Sequence, residues 1–176
     1  MSEGKKENAK ERAKKELNIA EVAARRLSYK SRTSHELAMY LEEKGFEEDL
    51  IKSTIQEFKD IGYLDDERFA QDYFRYASAK GWAKARAIRE LKRKGISQEV
   101  AVAAYEEYLE EFGETDDESA LAIAKKMITT DMLDERGRLV EKYKARVARR
   151  LFNYGYSTSV IYAAINQAVS DLTDEQ

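Results

Sequence analysis

A chain of 176 residues with a 43% hydrophobic composition can bury a core as one domain or as a few small units in series, which excludes an unstructured polymer. Its 31 basic and 34 acidic side chains nearly cancel to a formal net charge of −3, so attraction to phosphate must come from local patches rather than from the chain as a whole. Cysteine is absent, which removes disulfides, thiolate nucleophiles and thiolate metal sites, and the sequence has neither the apolar run of a signal peptide nor the roughly eighteen apolar residues of a membrane span, so a cytoplasmic protein without membrane contact is expected.

In chain order, MSEGKKENAKERAKKEL reads as a charged N-terminal arm over 1–17. The first structured unit is expected over 18–65. Its opening helix carries Ile19, Ala20, Ala23, Ala24 and Leu27 on one face; Thr33 with Glu36 forms a capping box that starts a second helix; and Leu37, Ala38 and Leu41 form the apolar stripe of that helix. Gly45 ends it as a left-handed residue, Phe46 makes the apolar contact that accompanies such an end, and Leu50, Ile51 and Ile55 stripe a third helix. Glu47 is a weak cap for that third helix.

The second unit, expected over 66–112, repeats this order. Phe69, Ala70, Tyr73, Phe74 and Ala77 fall at the same offsets as the first helix's apolar residues. Ala87, Ile88 and Leu91 repeat the middle stripe, Gly95 the stop and Ile96 the contact, and Ser97 caps a helix striped by Val100, Ala101 and Tyr105.

The third unit, expected over 113–170 with a tail at 171–176, opens on the capping box of Thr115 and Glu118. Ala120, Ile123, Ala124 and Met127 take the first-helix places. An insertion of about ten residues within TTDMLDERGR (129–138) then brings Val147, Ala148, Leu151, Gly155, Tyr156, Val160, Ile161 and Ile165 into register, with Ser157 as cap. Gly45, Gly95 and Gly155 thus stand 50 and 60 residues apart at equivalent places. The fold expected is all-α: three tandem three-helix repeats in an elongated, curved right- or left-handed array, since a unit of this size buries little alone and leans on its neighbours.

Function should lie in the faces that the copies do not share. The exposed stripe of the middle helix reads Trp82, Arg86, Arg89 and Arg93 in the second unit and Lys142, Arg146, Arg149 and Asn153 in the third, but Arg32, Glu36, Met39 and Glu43 in the first. Lys80, Lys84, Lys92 and Lys94 thicken the second ridge, and Arg138, Lys144 and Arg150 the third. Trp82, Arg86, Arg89, Lys92, Arg93, Lys142, Arg146, Arg149 and Arg150 are therefore the candidate residues for binding a phosphate or an acidic protein surface. Trp82 is either an anchor that stacks on a base or partner, or a staple closing the unit's core. Catalysis has no foundation: the single histidine, His35, lies in a helix cap, the pairs Asp65–Asp66 and Asp116–Asp117 sit at helix starts where they favour the helix dipole, and no metal-ligand or cofactor-binding pattern exists.

GYLDDERFA (62–70), KG (80–81) and IRELKRKGI (88–96), with RRLSYKSRTSHELAMYLEEKGF (25–46) before them, resemble the RecX regulatory proteins of bacteria, and the similarity extends over roughly 19–170. The resemblance implies a non-enzymatic protein, expected to be a monomer, that lies in the helical groove of RecA filaments on single-stranded DNA. There it would inhibit or modulate ATP hydrolysis, recombinase activity and strand exchange in DNA repair, recombination and the SOS response. On that reading Arg86, Arg89, Arg93, Arg146 and Arg149 contact acidic RecA surface or nearby phosphates, and binding to free single- or double-stranded DNA is weak and salt-sensitive at most. Two other readings stand beside it: a helix-turn-helix-like DNA-binding regulator, although the ridge offers few Asn or Gln side chains for base edges, and a helical scaffold that joins protein partners.

Overall fold

The computed structural model describes residues 18–174, and among them the regular elements are all helices apart from one isolated bridge between Leu133 and Leu139. Helix α1 covers 18–29. It is followed by α2 (Ser34–Glu43), α3 (Glu48–Asp60), α4 (Asp66–Ala79), α5 (Lys84–Arg93), α6 (Gln98–Phe112), α7 (Asp116–Met127), a short 3-10 turn (Thr130–Met132), α8 (Glu141–Tyr154) and α9 (Thr158–Asp174). The expected 1–17 arm lies outside the described residues.

Local chemistry sets most of the helix starts. Thr33 and Glu36 form the capping box of α2, and Thr115 and Glu118 that of α7. Asp65, Ser97 and Ser157 accept from the orphan amides of Arg68, Val100 and Val160, whereas Glu47 makes no side-chain cap. Such a cap contributes about 1 kcal/mol to its helix.

Apolar residues gather into three clusters in series. The first is built on Leu37, Leu41 and Phe58, the second on Phe74, Leu91 and Ile96, and the third on Val147, Leu151 and Ile165. The chain is thus three tandem three-helix repeats, each around its own core.

Two boundaries differ from the sequence reading. In α1 the buried residues are Ile19 and Ala23, while Ala24 is exposed; in α4 they are Ala70, Phe74 and Ala77. The first helix is therefore one residue out of the assumed register. The turn after α4 is made by Gly81 at φ +69°, whereas the described residues before α2 include no residue with positive φ, so the two turns are built differently. At the other end, α9 continues to Asp174 instead of giving way to a tail at 171, because Val169 and Leu172 still pack on the third core.

The middle helices meet end against start. The α5 end sits on the α2 start, where the Thr33 hydroxyl donates to the Lys94 carbonyl, the Lys94 ammonium meets Glu36 at 2.6 Å and Ser34 N–H donates to Asp66 at 2.8 Å. At the next joint the α8 end sits on the α5 start: Ala83 N–H donates to the Tyr154 carbonyl and Lys84 N–H to Asp116, each at 2.9 Å. Placing each helix's negative end on the next one's positive start is electrostatically favourable.

Gly155 shows why the joint demands glycine. Its φ is +96°, and a Cβ there would come within 2.6 Å of the Arg86 Cβ.

The two joints differ in kind. Ala83 of the second unit belongs to the third unit's core, whereas no residue of the second unit belongs to the first core; the α2–α5 joint rests on the polar contacts above and on the close approach of Gly95 to His35.

Candidate functional site

Joining α8 to α5 brings the two basic stripes into one. Arg146 and Arg149 lead along α8 to Asn153, whose carbonyl accepts from the Arg86 guanidinium at 2.6 Å, and from there the stripe continues along α5 through Arg89 to Arg93. It changes sign at the first unit, where Glu36 is engaged by Lys94.

The candidate residues take different positions along it. Arg89, Lys92, Arg93, Lys142, Arg146, Arg149 and Arg150 are exposed, and Arg93 pairs with Glu90 at 3.0 Å. Trp82 and Arg86 are only half-exposed. The Trp82 ring packs on the second core and meets Tyr76 edge-on at 5.7 Å, and the Arg86 guanidinium lies 3.9 Å above its face. That geometry makes the pair part of the joint itself.

Beside the joint, α7, α8 and the turn after α4 enclose a groove of about 670 Å³. Arg146, Arg149 and Arg150 enter it from α8, Lys80 from the turn and Lys126 from α7, over an apolar floor that includes Ala79, Ala122, Ile123 and Met127. No carboxylate pairs with these five cations among the described residues, so their field is open to a partner.

The acid on the groove's wall is already occupied. Glu114 accepts from Ser78 at 2.7 Å and from Ser119 and Tyr108 at 2.9 Å, and the Ser78 hydrogen bond leads the contacts that hold its carboxyl below the usual range, against a smaller opposing effect of burial. Below the groove, burial pushes the Tyr156 phenol far up, and its hydroxyl donates to the Gly81 carbonyl at 3.1 Å. Burial likewise raises the Asp116 carboxyl, with the Lys84 amide pulling the other way. Both groups hold the joint together.

The groove thus unites Arg146, Arg149 and Arg150, and leaves Lys92, Arg93 and Lys142 outside it. Lys126 was missed in the sequence, where a cation in a helix's last turn reads as a complement to the dipole. Among the described residues no group of three or more His, Cys, Asp or Glu side chains is placed to hold a metal ion, and no helix is long and apolar enough to cross a membrane.

Residues 21–58 match the first three-helix domain of RecX and residues 65–104 the second, so the matched segments coincide with the first two units. A regulatory protein RecX of Mycobacterium sp. (strain KMS) is 30% identical over 137 residues, covering 77% of this chain and 73% of that protein. The regulatory protein RecX of Lactobacillus delbrueckii subsp. bulgaricus is 26% identical over 159 residues, covering 89% of this chain but only 56% of the relative, so the chain spans little more than half of that protein's length. The crystal structure of RecX from Lactobacillus salivarius superposes with a TM-score of 0.70 at 20% identity, over 92% of this chain and 98% of that one. At that identity the likeness speaks for the fold alone.

Proposed function

The chain belongs to the RecX family, and from that premise we propose that it regulates a RecA recombinase by binding RecA filaments on single-stranded DNA in their helical groove. Bound there, it restrains ATP hydrolysis and strand exchange by occupying space and bridging protomers, with no chemistry of its own. The observation that carries this reading is the basic stripe continuous over two units. A series of rigid units with cations along one face suits a long, repeating acidic surface better than a single small ligand. Weak contact with DNA phosphates is part of the same reading, because the exposed arginines are fit for backbone contact rather than for base readout.

The test is ATP hydrolysis by a preassembled RecA filament on single-stranded DNA, with this protein added well below one copy per RecA. Inhibition is expected, and it should weaken when Arg89 and Arg93 are both changed to Glu. Undiminished hydrolysis, with binding to the filament saturated, rules the regulator reading out.

A further inference from the structure

The groove between the second and third units has a composition that a plain phosphate-binding surface does not need. Its cations, Lys80, Lys126, Arg146, Arg149 and Arg150, stand around a floor of alanine, isoleucine and methionine. A phosphodiester backbone has nothing to place on such a floor. Single-stranded nucleic acid would fill it with bases, but stacked bases require free ring faces. Here the rings are taken: Arg150 lies 4.6 Å over Tyr154, which lines the groove, and Arg86 covers Trp82 at the adjoining joint. The Glu114 carboxylate on the wall also opposes a continuous run of phosphates, while spaced carboxylates can pass it.

We infer that this groove is the docking site for an extended protein segment in which carboxylates alternate with apolar side chains. The carboxylates meet the arginine forks of α8 and the two lysines, and the apolar side chains lie on Ala122, Ile123 and Met127. The volume, about 670 Å³, lies within the range of pockets that enclose a ligand of a few residues. The Ser78 and Ser119 hydroxyls on the same wall are spent on Glu114, so the partner's carboxylates fall to the arginines and lysines alone. The inference rests on the reading of this protein as one that grips a protein partner, and it names the kind of segment gripped.

The experiment is fluorescence anisotropy at physiological salt with the full chain and three labelled probes: a short peptide alternating Glu and Leu, the same peptide with Ser for Leu, and oligothymidylate of equal charge. The Glu–Leu peptide should bind most tightly. Its affinity should fall roughly tenfold for the double variant Arg146→Glu, Arg149→Glu, and by a similar factor when Ser replaces Leu. Tighter binding of oligothymidylate would make the groove a nucleic-acid site, equal binding of the two peptides would leave only a charge effect, and no binding of any probe would remove the docking site; each overturns the inference. The ATPase assay uses Arg89 and Arg93, which lie outside the groove, so either result can fail without the other.

Discussion

At the residue scale, glycines that look equivalent in the sequence do different work. Gly45 and Gly155 both have positive φ, but nothing lies within 4 Å of the place a Gly45 Cβ would occupy, whereas at Gly155 it meets both the Arg86 Cβ at 2.6 Å and the Arg86 backbone nitrogen at 3.3 Å. Gly45→Ala should therefore cost only the left-handed strain, about 1 kcal/mol, and Gly155→Ala distinctly more, as read from urea unfolding midpoints. Equal losses would mean that the joint relaxes around the methyl group.

The two readings of Trp82 are separated the same way. Half-buried on the second core and beneath Arg86, it acts in packing, so Trp82→Ala should lower stability by about 2 kcal/mol while Arg89→Ala changes it by less than about 0.5 kcal/mol. The sequence placed Trp82 at the right turn, and Arg86, four residues on in the same unit, covers its face; only the Asn153 carbonyl that anchors Arg86 there comes from the next unit.

At the scale of elements, the joints should respond differently to solution conditions. Burial pulls the Glu36 carboxyl upward, but the Lys94 hydrogen bond and charge, with help from the Thr33 amide and Arg32, outweigh it and hold the group below its ordinary 4.5. A carboxyl depressed on folding contributes stability that is complete above its unfolded value and lost as the pH falls through the lower folded one. The α2–α5 joint should therefore loosen below about pH 4.5, and also in high salt, while the α5–α8 joint, where the Glu114 carboxyl is depressed too but Ala83 lies inside the third core, should loosen less. Energy transfer between dyes on the first and second units, against a pair on the second and third, reads this directly. Glu36→Gln should abolish the acid response of the first pair, and equal responses in the two pairs would mean that the joints do not differ in kind.

At the scale of the whole molecule, three cores in series separate stability from binding. Each core is sealed within or just across one joint, and the cations of the groove are exposed and free of carboxylates among the described residues. Changing Arg146 and Arg149 to Glu should leave the unfolding free energy within about 0.5 kcal/mol of the parent. If the chain binds a RecA filament as proposed, the change should slow that association, most of all at low ionic strength, where long-range attraction is least screened. Stopped-flow association rates across a salt series would show the effect as a reduced slope. An unchanged slope would take the third unit out of the interface.

The repeat itself was legible because it is written in short-range chemistry. Apolar stripes at helical spacing, the capping boxes of Thr33 and Thr115 and the left-handed stops at Gly45, Gly95 and Gly155 each act within a turn or two of chain, so the sequence alone determined the all-helical fold, the three units and the two basic stripes. The one-residue shift of α1 and the extension of α9 to Asp174 escaped it, because a helix's rotation and its last turn are settled by what it packs against. The groove was beyond reach for the same reason. Lys80, Lys126 and Arg149 come from separate elements, and only the close approach of α8 to the start of α5, with Arg86 bound to the Asn153 carbonyl, turns two surface stripes into one ridge beside an open groove.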